Sequence, residues 1–191
     1  MRKITLILLV LSALTIAAQA QEISAAFGVS GVWAPSAANA GSGFSPQSIG
    51  TGTFPVVSAS FVTNRRIGIE GEVSWRATQN LYQGFQNFRP NFYDFNAIYA
   101  PKLGDRATLE LLGGLGGESV RFYGVTNCGF AGCTNFVSEN HLMGDVGAGL
   151  RLYVTKNLFI RPEARFYFVH NNVDFSGARA IRGGVSVGFT F

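Results

Sequence analysis

The sequence has little charge and almost no lysine. Of its 191 residues, 14% are charged although 47% are hydrophobic, and beyond residue 20 the only lysines are Lys102 and Lys156. A sheet that faces water would be expected to carry Lys and Glu along its outer face. The scarcity of charge therefore argues against an ordinary soluble protein.

Long apolar runs are also scarce, and the one present lies in residues 1–20, MRKITLILLVLSALTIAAQA. Two basic residues precede an apolar segment, and Ala18 and Ala20 flank Gln19 as a small-residue cleavage site. This pattern predicts a secretory signal peptide cleaved after Ala20, followed by a mature domain of residues 21–191. The apolar segment of about 15 residues is shorter than the roughly 20 that a spanning helix needs. Because no comparable run follows, a helical membrane protein is excluded.

A strong excess of positive charge and the usual cofactor motifs are missing too. Removal of Arg2 and Lys3 with the signal peptide lowers the formal net charge from +4 to +2, which gives no reason to expect a nucleic-acid partner. The GGLGG run at 113–117 lacks the following helix and lysine of a phosphate-binding loop. We expect no cofactor, no metal and no nucleic acid.

Alternation of apolar and polar residues is what the sequence has in abundance. In its last window, Ile181, Val185 and Phe189 share one face of a strand. Arg182 and Ser186 share the other face. Each window lasts about 11 residues, which suits a tilted membrane-spanning strand. The eight windows are 22–33, 53–63, 67–77, 91–100, 107–119, 141–152, 158–169 and 181–191.

The connections between these windows alternate in length. Those at 64–66, 101–106 and 154–157 are short, whereas those at 34–52, 78–90, 122–139 and 170–178 are long. An even number of strands joined by alternately short and long connections predicts an all-β, eight-stranded, antiparallel up-and-down transmembrane barrel. Its short turns would be periplasmic and its long loops extracellular.

A soluble barrel of the lipocalin type would show the same alternation with its faces exchanged. Aromatic residues such as Trp33, Trp75, Phe95 and Phe168 would then all point inward. The interior of eight strands is only wide enough for side chains to fill it, so these rings would be crowded. We therefore predict that the apolar face points outward, to lipid.

The chain resembles the OmpA-like family of small outer-membrane β-barrels of Gram-negative bacteria. The resemblance rests on the signal peptide, the eight alternating strands, RPEARFYF at 161–168 and the closing strand that ends on Phe191. It implies an outer-membrane location among lipid and lipopolysaccharide. It also implies that Phe189 and Phe191 form an assembly signal for the barrel assembly machinery. Larger members have a periplasmic peptidoglycan-binding domain, which we do not expect for this protein.

Charged residues on the predicted inner face are the main candidates for function. The strand order places them in three levels that each contain both signs. An unpaired buried charge is costly, so we expect an ion-pair network that plugs the lumen; a gated or narrow polar passage is the alternative. The lower level has Glu70, Glu110, Arg151 and Arg161, the middle level Glu72, Glu163 and Arg165, and the upper level Arg76, Asp94, Glu118, Asp145 and Arg182.

Two cysteines, Cys128 and Cys133, lie in the third long connection, within TNCGFAGCTN. The periplasm and the cell surface are oxidising, so in an exported chain this pair predicts a disulfide. Metal binding is the weaker alternative, because one Cys pair without a nearby His/Cys set does not make up a metal site.

Two classes of function stay open on the sequence alone. One is a structural and surface-interaction barrel that supports membrane integrity, adhesion or recognition through its loops; the other is a narrow passive channel for small solutes. A lipid A-modifying enzyme is a distant third, because FVHNNVDFSG has Asn172 where a deacylase needs a nucleophilic serine. We expect no catalytic residues, a monomer, and an extracellular ligand that the loop sequences do not identify.

Overall fold

The computed structural model describes residues 20–34, 48–50, 52–82, 86–129, 132–170 and 179–191. Apart from Ala20, the predicted signal peptide lies outside these residues. The described residues contain no helix that is long and apolar enough to cross a membrane. The strands are β1 Ala20–Trp33, β2 Thr53–Thr63, β3 Ile67–Trp75, β4 Asn80–Tyr82, β5 Gln86–Tyr99, β6 Ala107–Gly129, β7 Gly132–Tyr153, β8 Leu158–Val169 and β9 Arg179–Thr190.

The strands form one closed antiparallel sheet. β1 pairs with β2 on one side and with β9 on the other, and β3 pairs with β5, so the sheet has no free edge around its girth. The three-residue β4 pairs only with the start of β5 and is not one of the strands that close the barrel. The predicted eight-stranded antiparallel barrel is confirmed.

The alternation in each strand determines which side chains face out. Ile69 and Phe95 point outward and are 66% and 76% exposed, whereas Ser58 and Glu70 point to the inside of the barrel and are buried. The outward residues form a continuous apolar surface that includes Phe27, Val146, Val185 and most other exposed aliphatic and aromatic side chains. The outer surface is therefore suited to lipid, as the sequence predicts.

Three short connections lie at one end of the barrel, here called the short-turn end. They join β2 to β3, β5 to β6 and β7 to β8, as predicted. In the last of them, Thr155 Oγ1 accepts a hydrogen bond of 3.0 Å from the backbone N of Leu158, which closes the turn. The opposite end is called the long-connection end. Lys102 and Lys156, the two lysines of the predicted mature chain, are both exposed at the short-turn end.

The predicted loop at 122–139 is wrong. β6 and β7 continue through it as a hairpin, and their register runs past Tyr123–Phe136 to Cys128 opposite Cys133. These two cysteines form the expected disulfide near the tip. The prediction failed because a hairpin that extends beyond the barrel is open to solvent on both faces, so the apolar–polar alternation that marks the barrel part of these strands is lost. Residues 78–90, predicted as a loop, likewise contain β4 and the first residues of β5.

Candidate functional site

The strands bring all twelve charged residues assigned to the inner face into the lumen, and every one of them is buried. Four of the largest fully buried side chains of the described residues are arginines: Arg151, Arg161, Arg165 and Arg182. They come from β7, β8 and β9, on one wall of the barrel. Most of the acidic residues come from β3, β5 and β6 on the facing wall. Cations and anions thus meet across the lumen.

Arg165 lies at the centre of this network. Its Nη2 atom contacts Glu70, lies 2.8 Å from Glu72 Oε2 and 3.5 Å from Glu163 Oε2. Its Nη1 atom lies 3.1 Å from Asp94 Oδ1 and 3.7 Å from Asp145 Oδ2. The Arg165 side chain has no exposed surface. One guanidinium therefore faces five carboxylates that are held on four strands.

Arg161 and Arg182 share these carboxylates with Arg165. Arg161 contacts Glu70 and lies 3.2 Å from Glu163 Oε2, and its Nη2 donates a hydrogen bond of 2.9 Å to Ser58 Oγ. Arg182 contacts both Glu72 and Glu163. Because Glu70, Glu72 and Glu163 each have two or more arginine partners, the network is shared rather than built from separate pairs.

Arg151 forms a second group nearer the short-turn end. Its Nη1 lies 2.7 Å from Glu22 Oε1, and its Nη2 lies 2.6 Å from Glu110 Oε1. Glu22 also accepts hydrogen bonds from the hydroxyls of Tyr153 and Thr190. Sequence reasoning missed Glu22. The available signal was its place in β1, on the same face as Ser24 and Ser30.

The ion pairs are not confined to the three predicted levels. Arg165, assigned to the middle level, contacts Glu70 from the lower level and Asp94 from the upper one. Arg182, assigned to the upper level, contacts only middle-level acids among the described ion pairs. The reason is the length of the arginine side chain, which spans more than one layer of a narrow barrel, so levels drawn from backbone position do not limit its partners.

Glycine leaves space for Arg165 on the neighbouring strand. Gly147 of β7 lies opposite Arg165 of β8, and a Cβ atom at Gly147 would lie 2.9 Å from Arg165 Cγ. Such a contact is too short for two carbon atoms. A side chain at position 147 would therefore displace the arginine at the centre of the network.

An apolar cluster fills the lumen at the long-connection end. The Phe92 and Tyr167 rings are stacked with centroids 5.3 Å apart, and Arg182 Cζ lies 5.7 Å from the Tyr167 centroid. Sequence reasoning did not assign these aromatics a role, although they fall on the polar face of their windows. The cluster consists of Val32, Ala34, Ile49, Phe54, Phe88, Phe92, Val120, Phe122, Met143, Tyr167, Val169 and Ala180.

Smaller apolar residues and a polar cavity occupy the short-turn end. Val62, Ile98, Ala100 and Leu112 form a buried cluster on one side of the barrel. On the other side a cavity of about 510 Å³ is lined by the turn residues, with Glu22, Thr108, Tyr153 and Thr190 also in its wall. None of the five carboxylates around Arg165 lines this cavity. The centre of the lumen is filled by the ion-pair network.

A closed barrel with an apolar outside and a buried, charged inside defines a transmembrane β-barrel. A model of the outer membrane protein beta-barrel domain matches residues 6–191, and the chain belongs to this family. It is an outer-membrane barrel protein, a class found in the Gram-negative outer membrane. No curated protein sequence matches the chain.

Several solved barrels have the same fold. The Neisserial surface protein A is 15% identical, with a TM-score of 0.60, and the match covers 89% of this chain and 96% of that one. Ail of Yersinia pestis, in complex with the heparin analogue sucrose octasulfate, is 16% identical with a TM-score of 0.54, covering 89% and 97%. The N-terminal barrel of Pseudomonas aeruginosa OprF is 15% identical with a TM-score of 0.54, covering 88% and 97%. At these identities the likeness shows the fold alone.

Proposed function

We propose that this protein is a closed outer-membrane barrel with a structural and surface-interaction role. Its long-connection end is extracellular, and its lumen is plugged by the ion-pair network. The observation that carries the proposal is Arg165, a fully buried guanidinium facing five carboxylates across the centre of the lumen. Residues 1–20 serve as the cleaved signal peptide, and the mature barrel is a monomer.

The network supports closure because its charges pair with one another and are shielded from bulk solvent. The side chains of Arg161, Arg165, Arg182, Glu70 and Glu72 are at most 1% exposed. A permeating ion would have to lose its hydration shell and separate these pairs, and both steps are costly in a low-dielectric space. The apolar cluster at the long-connection end adds a second barrier to water.

Phe189 and Phe191 support the proposed interaction with the barrel assembly machinery. Both rings are exposed, and their centroids lie 5.3 Å apart. The backbone N of Phe191 donates a hydrogen bond of 2.9 Å to the carbonyl of Ile23 on β1. The two rings are thus held next to the seam where the last strand meets the first, on the lipid-facing surface.

Closure predicts that the purified barrel conducts little. In planar lipid bilayers with potassium chloride, we expect no stepwise current above the baseline of a protein-free bilayer, because the charged centre is filled by side chains. A general porin reconstituted in the same way is the positive control. Regular conductance steps that depend on the amount of barrel would contradict the plugged lumen and favour the narrow-channel function.

The surface role is assigned to the part of the β6–β7 hairpin that rises beyond the barrel. We expect a shortened variant, in which residues 124–135 are replaced by an Asn-Gly turn, to assemble normally, because Tyr123 and Phe136 remain paired below the turn. Cells that make this variant should lose adhesion to heparin-coated surfaces, chosen because Ail binds a heparin analogue, while their resistance to detergent stays at the parental level.

The matched control for the hairpin is Cys128→Ser with Cys133→Ser, which keeps its length but removes the disulfide. We expect intermediate adhesion, since the tip keeps its residues but loses a constraint worth about 2 kcal/mol. Full adhesion of the shortened variant would show that the hairpin is not the contact surface. The detergent measurement then tests the structural role separately.

A further inference from the structure

Two arginines lie directly opposite each other on the outer face of the barrel. Arg89 of β5 and Arg121 of β6 are cross-strand partners, and both point away from the lumen because Phe88, Pro90, Val120 and Phe122 on either side of them are buried inward. Like charges at directly opposed positions destabilise a sheet. An arrangement that costs stability in the protein alone indicates a bound anion.

No carboxylate of the described residues pairs with either arginine. Glu139 is the nearest acid in sequence register, but it pairs with Val120 and so lies on the other face of the sheet. Of the chain's eleven acidic residues, only Asp174 lies outside the described part. The positive charge of the pair is therefore not neutralised by the residues that the structure places around it.

Both guanidiniums are held in position while donors stay available. Arg89 Nη2 donates a hydrogen bond of 3.2 Å to the carbonyl of Ala77, and Arg89 Nε is buried without an acceptor among the described residues. Arg121 Cζ lies 5.2 Å from the centroid of the Phe136 ring. Each guanidinium has five N–H donors in a planar fork that matches the oxygens of a phosphate. The remaining donors suit a single bridging phosphate group.

The height of the pair on the barrel determines what kind of phosphate it meets. On β5 the outward apolar residues end with Tyr93, and Arg89 follows four residues further toward the long-connection end. At about 3.4 Å per residue and a strand tilt near 40°, this is about 10 Å beyond Tyr93 along the barrel axis. That distance places the two arginine side chains at the lipid headgroup layer.

We propose that Arg89 and Arg121 form a binding site for a phosphate group of a lipid in the extracellular leaflet, the lipid A part of lipopolysaccharide. The orientation of the leaflet rests on the proposed function, in which the long-connection end is extracellular. Lipid A carries phosphate groups at the headgroup level, whereas the acyl chains would lie on the apolar band below Tyr93. The site fixes a glycolipid against the outer wall between β5 and β6.

The test is native mass spectrometry of the detergent-solubilised mature barrel titrated with bisphosphorylated lipid A. We expect Arg89→Gln with Arg121→Gln to weaken binding at least about tenfold, because charge-assisted hydrogen bonds from two guanidiniums are lost. The matched control, Arg65→Gln with Arg106→Gln, removes two exposed arginines from the short-turn end and should stay within about twofold of the parent. Without lipid, the first variant should unfold at the parental denaturant concentration or above it.

Two further measurements decide whether the bound phosphate belongs to lipid A or is free phosphate. Dephosphorylated lipid A should bind the parent as weakly as bisphosphorylated lipid A binds the double variant. Equal binding of both lipids to the parent, or parental binding by the double variant, would overturn the proposal. Displacement of lipid A by inorganic phosphate at equal concentration would assign the site to free phosphate and overturn the lipid assignment. A conducting barrel would refute the plugged lumen without changing any of these affinities.

Discussion

Replacing Arg165 with alanine should lower the free energy of unfolding of the barrel by about 3–5 kcal/mol, because it leaves buried carboxylates without a partner. Among the described ion pairs, Asp94 and Asp145 have Arg165 as their only arginine, whereas Glu70, Glu72 and Glu163 keep others. Glu72 and Glu163 are the acids that share the predicted middle level with Arg165, but Arg182 contacts both of them, so the loss of Arg165 falls on the two aspartates instead.

Urea unfolding in detergent micelles measures this effect. Arg179→Ala, which removes an exposed arginine from β9, is the control and should change the unfolding free energy by less than about 0.5 kcal/mol. The double variant Arg165→Ala with Asp145→Asn should lose less unfolding free energy than the two single variants added together. The reason is that Asp145→Asn removes one of the carboxylates that Arg165→Ala leaves without a partner. An Arg165→Ala barrel within about 1 kcal/mol of the parent would contradict the central role of this residue.

Introducing arginine at Val146 should destabilise the barrel in a bilayer by about 2–4 kcal/mol, and Val185→Arg should do the same. Both side chains are exposed on the outer face, near the middle of the apolar band on β7 and β9. In a bilayer, such a charge either lies in hydrocarbon or draws water and lipid headgroups into the bilayer, and both are unfavourable. Val146→Leu, which keeps the position apolar, should have little effect.

Asn140→Arg is the position-matched control, because Asn140 faces outward on β7, the same strand as Val146, but six residues nearer the long-connection end. There the added charge lies in the headgroup region and should cost at most about 1 kcal/mol. Equal unfolding free energies for Val146→Arg and Asn140→Arg in phospholipid bilayers would show that the outer face of β7 does not meet hydrocarbon.

Some properties of the site follow from the odd or even position of a residue in its strand, and these could be predicted from the sequence. Others depend on which residue it meets across the barrel, and these could not. All twelve lumen residues were assigned to the inner face correctly, because successive side chains in a strand alternate between faces. Their pairings were not, since Arg161, Arg165 and Arg182 reach carboxylates on strands across the barrel. Partners across a lumen depend on stagger and side-chain length, which no single strand encodes.

The sequence by itself determined the number of barrel strands, the outward apolar face, the three short turns and twelve of the charged residues in the lumen, because each depends on a period of two and on turn residues within a few positions. Only the tertiary structure decided that Glu22 joins Arg151, that aromatic residues close the long-connection end, and that residues 122–139 continue as a hairpin. It alone also placed Arg89 opposite Arg121. These features arise from register between strands distant in sequence, and register is fixed only when the barrel closes.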